Sequence, residues 1–153
     1  MAQTTFEGID EVRAAVGRHL GYSDWVTITQ DQVDTFAEAT GDHQWIHVDV
    51  SRANAESPFG GPVAHGYLTL AITNLFLPQV VEVRGVSLGV NRGTGRVRFP
   101  SPVPVGSRLR GGVEVVAVED VAGGVDTTMV ITVEREGADK PACVVESLSR
   151  YLA

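Results

Sequence analysis

Apolar residues are spaced at helical intervals in the first half of the chain and closer to alternation in the second. Ile9, Val12 and Val16 fall on one face of a short, weakly amphipathic helix within residues 6–18. Residues 25–28 read as a strand. Thr29 and Gln32 make a Thr-x-x-Gln capping box, which starts a helix at Gln30. Val33, Phe36 and Ala37 supply its apolar face, and Gly41 can close it in the left-handed conformation. Asp42 is thereby placed just past a helix end, in a loop. Regular spacing then lapses up to Ala64, apart from a short helical stretch over residues 50–55 that Asp49 can cap. Residues 57–62, Ser-Pro-Phe-Gly-Gly-Pro, force a turn-rich loop. The run over residues 65–77 is apolar on nearly every face and too long for one strand. It predicts a helix buried on most sides and ended by Pro78.

Residues 85–91, 96–99, 108–119, 125–136 and 142–152 are rich in Val and Thr and partly alternating, and Gly, Pro and Asp separate them. Short connections imply an antiparallel sheet. Helices first and strands later define an α+β chain, with a curved antiparallel sheet around one very apolar helix. Such a sheet leaves edge strands, and pairing them between two chains is a route to a dimer. No linker or repeat divides the 153 residues, so residues 1–153 form one domain.

Composition narrows the function classes. The chain is 43% hydrophobic and 20% charged, as globular domains are. Its formal net charge of −7 repels phosphate, which argues against a nucleic-acid binder or a polybasic membrane-surface protein. No apolar run is long enough to span a membrane, and the amino terminus lacks the basic start and apolar run of a secretory signal. A cytoplasmic location is expected. The single cysteine, Cys143, excludes an internal disulfide and reads as a small buried hydrophobe in a strand.

Reactive side chains concentrate in Thr40-Gly41-Asp42-His43-Gln44-Trp45-Ile46-His47-Val48-Asp49, with His65-Gly66 further on. A carboxylate and an imidazole on one loop can bracket a single water, one orienting or deprotonating it and the other exchanging a second proton near neutral pH. That suits addition or elimination of water, and also hydrolysis. The alternative is that Asp42 and His47 only hydrogen-bond their own loop. Gly66 opens the apolar helix, where backbone N–H groups are free and the helix dipole is positive. Without a Cβ, its N–H is open to a ligand carbonyl, as in an oxyanion hole; the alternative is that Gly66 only allows close packing. A metal site on Asp42, His43, His47 and Asp49 is disfavoured, because the residues around Gly41 lack helical periodicity and no Glu follows the first His. Arg92, Arg96, Arg98, Arg108 and Arg110 form a local basic excess, either a solvated strand face or a landing place for the nucleotide phosphates of coenzyme A.

The segment Phe36-Ala-Glu-Ala-Thr-Gly-Asp42-His-Gln-Trp-Ile-His47-Val-Asp49, followed by Phe59-Gly60-Gly-Pro-Val-Ala-His65-Gly66, resembles the hydratase motif of MaoC-like dehydratases. These include the (R)-specific enoyl-CoA hydratases. Arg98-Phe99-Pro-Ser-Pro-Val-Pro-Val-Gly-Ser107 resembles the family's strand-and-turn signature, and the likeness runs from about Tyr22 to the end. It implies a hot-dog fold, a homodimer, and an acyl-CoA thioester substrate with no metal or redox cofactor. It implies Asp42 and His47 as the catalytic pair and the Gly66 N–H as oxyanion donor, with His65, Phe59 and Gly60 beside them. Family members often carry a Ser on the central helix where this chain has Asn74, and an Asn-Pro where it has Gln44-Trp45. Arg92, Arg96 and Arg98 are the candidate contacts for CoA phosphates. The competing readings are a hot-dog thioesterase, which directs the same water at the thioester carbonyl, and a non-catalytic acyl-CoA-binding subunit.

Overall fold

A computed structural model of the chain describes all 153 residues. The chain runs β1 (Thr4–Phe6), α1 (Ile9–Ala14), β2 (His19–Tyr22), β3 (Val26–Thr27), α2 (Gln30–Thr40), α3 (Trp45–Val48), α4 (Val50–Glu56), α5 (Gly66–Ala71) and α6 (Thr73–Val80). It continues as β4 (Val81–Val83), β5 (Leu88–Arg98), β6 (Arg108–Val121), β7 (Gly124–Arg135) and β8 (Cys143–Leu152). The main sheet is antiparallel in the order β2-β6-β7-β8-β5, with β3 also on β6. A small parallel ribbon pairs β1 with β4.

α2 forms as its sequence predicts. The Thr29–Gln32 capping box is reciprocal, and Gly41 takes φ 81 at the far end, a left-handed conformation that glycine adopts without strain. Asp49 caps α4 through the Arg52 N–H at 3.1 Å. The central helix is α5 and α6 together. Its backbone stays right-handed helical through Ile72 (φ −70, ψ −12), and the ladder loosens only there. Phe76 and Val80, both fully buried, face the sheet and join Leu109, Val113, Val115, Ile131 and Val145 in one core. Close approach depends on Gly111 of β6, where a Cβ would stand 2.8 Å from the Phe76 Cβ. Cys143 is fully buried in this layer, and burial pushes its thiol up to about 11.

Several expectations are corrected. Pro78 lies inside α6 and does not end it. Its ring removes one donor near the helix end, where few intrahelical bonds remain to be lost. The central helix is buried on one side only: Tyr67 is 72% and Leu75 46% exposed, and Ala71, Asn74 and Pro78 join them in an open stripe. The helix within residues 6–18 is shorter, because Thr4–Phe6 extends to pair with β4. Residues 85–91 and 96–99 are not two strands. One strand, β5, covers both and absorbs the irregular middle as register shifts between Asn91 and Gly93 and between Thr94 and Val97.

Candidate active site

The site is assembled from the loop after α2, the single turn α3 and the start of the central helix. Past Gly41 the chain is exposed, and Asp42 is held locally by two long bonds: its N–H donates to Thr40 Oγ1 at 3.4 Å, and its Oδ1 accepts the Gln44 N–H at 3.3 Å. α3 forms where helical periodicity was lacking. It is one turn long, too short to carry a periodic signal, and it lifts His47 into the protein with 7% exposure. Gln30 Nε2 donates to the His47 carbonyl at 2.8 Å, which ties α3 to the first turn of α2.

The His47 ring is oriented by backbone. Its Nδ1 lies 2.6 Å from the Val63 carbonyl oxygen. A carbonyl only accepts, so Nδ1 carries the proton and Nε2 keeps the free lone pair. Val63 is itself fixed, since its N–H donates to the Ile46 carbonyl at 3.1 Å. The His47 pKa is lowered, chiefly because burial disfavours the imidazolium; His65 lowers it further, while the Val63 carbonyl and Asp42 oppose the shift. A neutral imidazole with an unprotonated Nε2 is a competent proton acceptor.

His65 is 3% exposed and precedes the first residue of α5. Its Nε2 lies 2.9 Å from the Asp42 carbonyl oxygen, and its ring stacks on His47 with centroids 3.9 Å apart and planes 27° apart. Gly66 opens α5 with no side-chain cap, and its N–H donates no hydrogen bond within the chain. Donor atoms of Asp42, His47 and His65 lie within 4.8 Å of one another. Stacked rings aim their in-plane lone pairs side by side, whereas two imidazoles on one tetrahedral metal must converge on it. His47 Nδ1 and His65 Nε2 are already committed to the Val63 and Asp42 carbonyls.

Two cavities meet here. One, about 430 Å³, is lined by Asp42, His47, His65, Gly66, Tyr67 and Phe99. The other, about 340 Å³ and mostly apolar, is lined by His47, Phe59, Val63, Gly66, Thr69 and Phe99 among others. His47, Gly66 and Phe99 border both. Phe99 covers the glycine closely: a Cβ on Gly66 would stand 3.2 Å from its ring.

Asp42, His47, His65, Gly66 and Phe59 are therefore brought together. Gly60 takes φ 81 in the turn that presents Phe59 and lines neither cavity. Asn74 lies further along the helix in a separate cavity with Asn91, Ser147 and Tyr151, apart from His47. Arg92 pairs with Asp126 at 3.1 Å, Arg108 with Glu136 at 2.9 Å and Arg110 with Glu134 at 2.8 Å. Arg96 and Arg98 are exposed and form no ion pair, and the pleat directs them away from the face on which Val97 meets the core. His43 is exposed near Glu38. Sequence reasoning missed the Val63 carbonyl, a backbone group with no residue signature. It also passed over Thr69, a buried polar residue in an apolar helix, which was a visible signal.

A curved antiparallel sheet around a central helix is the hot-dog fold, and the site on it sets a carboxylate and an imidazole in one cavity. The monoamine oxidase regulatory protein of Archaeoglobus fulgius superposes with a TM-score of 0.79 at 23% identity, over 100% of this chain and 99% of that one. The unliganded R-hydratase PhaJ1 of Pseudomonas aeruginosa superposes at 0.71 with 25% identity, over 90% of this chain and 81% of its own. Residues 11–136 match the family described as MaoC like domain. A curated relative, 3-hydroxyacyl-thioester dehydratase Z of Mycobacterium tuberculosis, is 55% identical over 150 residues, which are 97% of this chain and 99% of the relative. The chain belongs to the MaoC-like dehydratase family.

Proposed function

We propose that the chain is a hydro-lyase that interconverts trans-2-enoyl and 3-hydroxyacyl thioesters, with the (R)-hydroxy product of an enoyl-CoA hydratase 2. The observation that carries this reading is one cavity holding the Asp42 carboxylate, the His47 ring with its Nδ1 turned to the Val63 carbonyl, and the free Gly66 N–H. In the hydration direction the thioester carbonyl oxygen accepts the Gly66 N–H, which draws charge from C3 and stabilises the enolate. Asp42 orients the water through one of its hydrogens. His47 Nε2 takes the other proton as the oxygen bonds to C3, and returns it to C2 as the enolate collapses. Water is thereby added in full, its hydroxyl at C3 and its proton at C2, and neither residue is consumed. The reaction has no redox change and no step that calls for a metal. The mostly apolar cavity beyond Phe99 takes the acyl chain, and Arg96 and Arg98 are the unpaired cations on the neighbouring edge for CoA phosphates.

The test is a hydration assay over a series of trans-2-enoyl-CoA chain lengths, with product stereochemistry determined. Loss of enoyl absorbance with an (R)-3-hydroxyacyl product is expected. Release of free thiol would identify a thioesterase instead, and binding without turnover a non-catalytic subunit.

A further inference from the structure

We infer that His65 is a positioning residue that locks Asp42 and His47 into one unit, a role that rests on the hydratase reading above. Its contacts leave it little else to do. Nε2–H donates to the Asp42 carbonyl at 2.9 Å, so that nitrogen is spent. One face of the ring is covered by His47, and Phe36 packs against the ring with centroids 4.9 Å apart and planes inclined at 54°. Nδ1 is buried with no hydrogen-bond partner. Neither ring nitrogen is therefore open to a substrate, and the stacking on His47 does not suit a shared metal. It is not an ordinary core residue either: an apolar side chain there would avoid the cost of an orphaned buried nitrogen.

What the imidazole supplies is a link from the Asp42 loop to the start of the central helix, beside the Val63 bonds that hold α3 there. Asp42 sits on an exposed loop whose own bonds are 3.4 and 3.3 Å long, so the 2.9 Å bond from His65 is the shortest one on that residue. It fixes the peptide plane after Asp42 and thus the stretch of backbone that carries the carboxylate. The same ring, through the stack, braces one face of His47, whose edge the Val63 carbonyl holds. Asp42, from the loop after α2, and His65, ahead of α5, are the titratable groups that influence His47. Of the other side chains lining the two cavities, only exposed Tyr67 is titratable.

His65→Phe keeps an aromatic ring for the stack and removes the donor. His65→Gln keeps a donor near the Nε2 position and removes the stack. His65→Phe is expected to lose about 10²-fold in kcat, as misplacing a reacting group by about 1 Å does, with KM little changed. His65→Gln should recover part of that loss. Both should move the acid limb of the pH profile upward, because an imidazole that opposes protonation of His47 is gone. The same upward shift should be read in an NMR titration of the His47 ring, which stands whether or not enoyl thioesters are the substrate. Wild-type kcat in both variants, or a change confined to KM, would overturn the assignment. So would equal losses with an unmoved His47 titration, since that is what a purely structural residue would give. Absence of turnover in the wild type would instead overturn the hydratase reading, and the NMR titration would still decide the role of His65.

Discussion

His47 decides most of the chemistry at the residue scale. Burial opposes a positive charge on the ring more than the Val63 carbonyl favours one, so the ring stays neutral to pH values below its ordinary 6.5. The acid limb of kcat/KM should therefore fall below pH 6.5. The sign for stability follows from proton counting. As pH falls, the unfolded chain protonates this histidine first, so its contribution is complete above about 6.5 and declines as pH drops towards the lowered folded value. Denaturant midpoints measured between pH 5 and 8, the span in which imidazoles titrate, should fall on the acid side in wild type and less so in His47→Gln. Asp42→Asn and His47→Gln should each remove most turnover, about 10²–10⁴-fold, with the fold retained in circular dichroism. Because both act on one water, the double variant should be little worse than either single one. The Gly66 test is changed by its neighbour. Any Cβ there meets the Phe99 ring at 3.2 Å, so Gly66→Ala crowds a wall as well as the oxyanion position. Pairing it with Phe99→Ala separates the two: activity restored in the double variant means crowding, and activity still lost by about 10²-fold means a blocked N–H.

At the scale of elements, legibility followed the length of the pattern. α2 was readable end to end because its start is a side-chain motif, its face is periodic and its stop is a glycine. β6, β7 and β8 were readable to within one or two residues because a half-buried strand leaves an alternation that persists over ten or more positions. What escaped was short or non-local. β1 and β2 are three and four residues long and exist through their pairing with distant strands. The irregular middle of β5 hid one strand as two. At the site, Asp42, His47 and Gly66 were visible as residue types, whereas the stack of His65 on His47 requires two segments to meet in space. The capping box makes a prediction of its own. Thr29→Ala should cost about 1 kcal/mol of stability, read in urea melts. Turnover should fall only slightly, since Gln30 stays in the first turn and can still reach the His47 carbonyl.

At the scale of the whole molecule, the fold is incompletely covered. β5 forms an open edge of the sheet, with Leu88 51% and Val90 43% exposed, and the stripe from Tyr67 to Pro78 lies open on the central helix. The register shifts roughen the far part of β5, which leaves residues 88–91 as its regular free stretch. We predict a homodimer that covers these surfaces. Sedimentation should give twice the 16.3 kDa of one chain, and Val90→Lys should return it to one. No helix is long and apolar enough to cross a membrane. The backbone's hold on the two imidazoles has a consequence for redesign. Val63 and Asp42 present carbonyl oxygens, and no substitution of a side chain deletes those atoms. The wall residues Phe59, Phe99 and Ala142 can thus be exchanged to admit bulkier or branched acyl groups while the proton-transfer geometry is inherited unchanged. A library confined to those positions should vary in preference much more than in the pH dependence of its members.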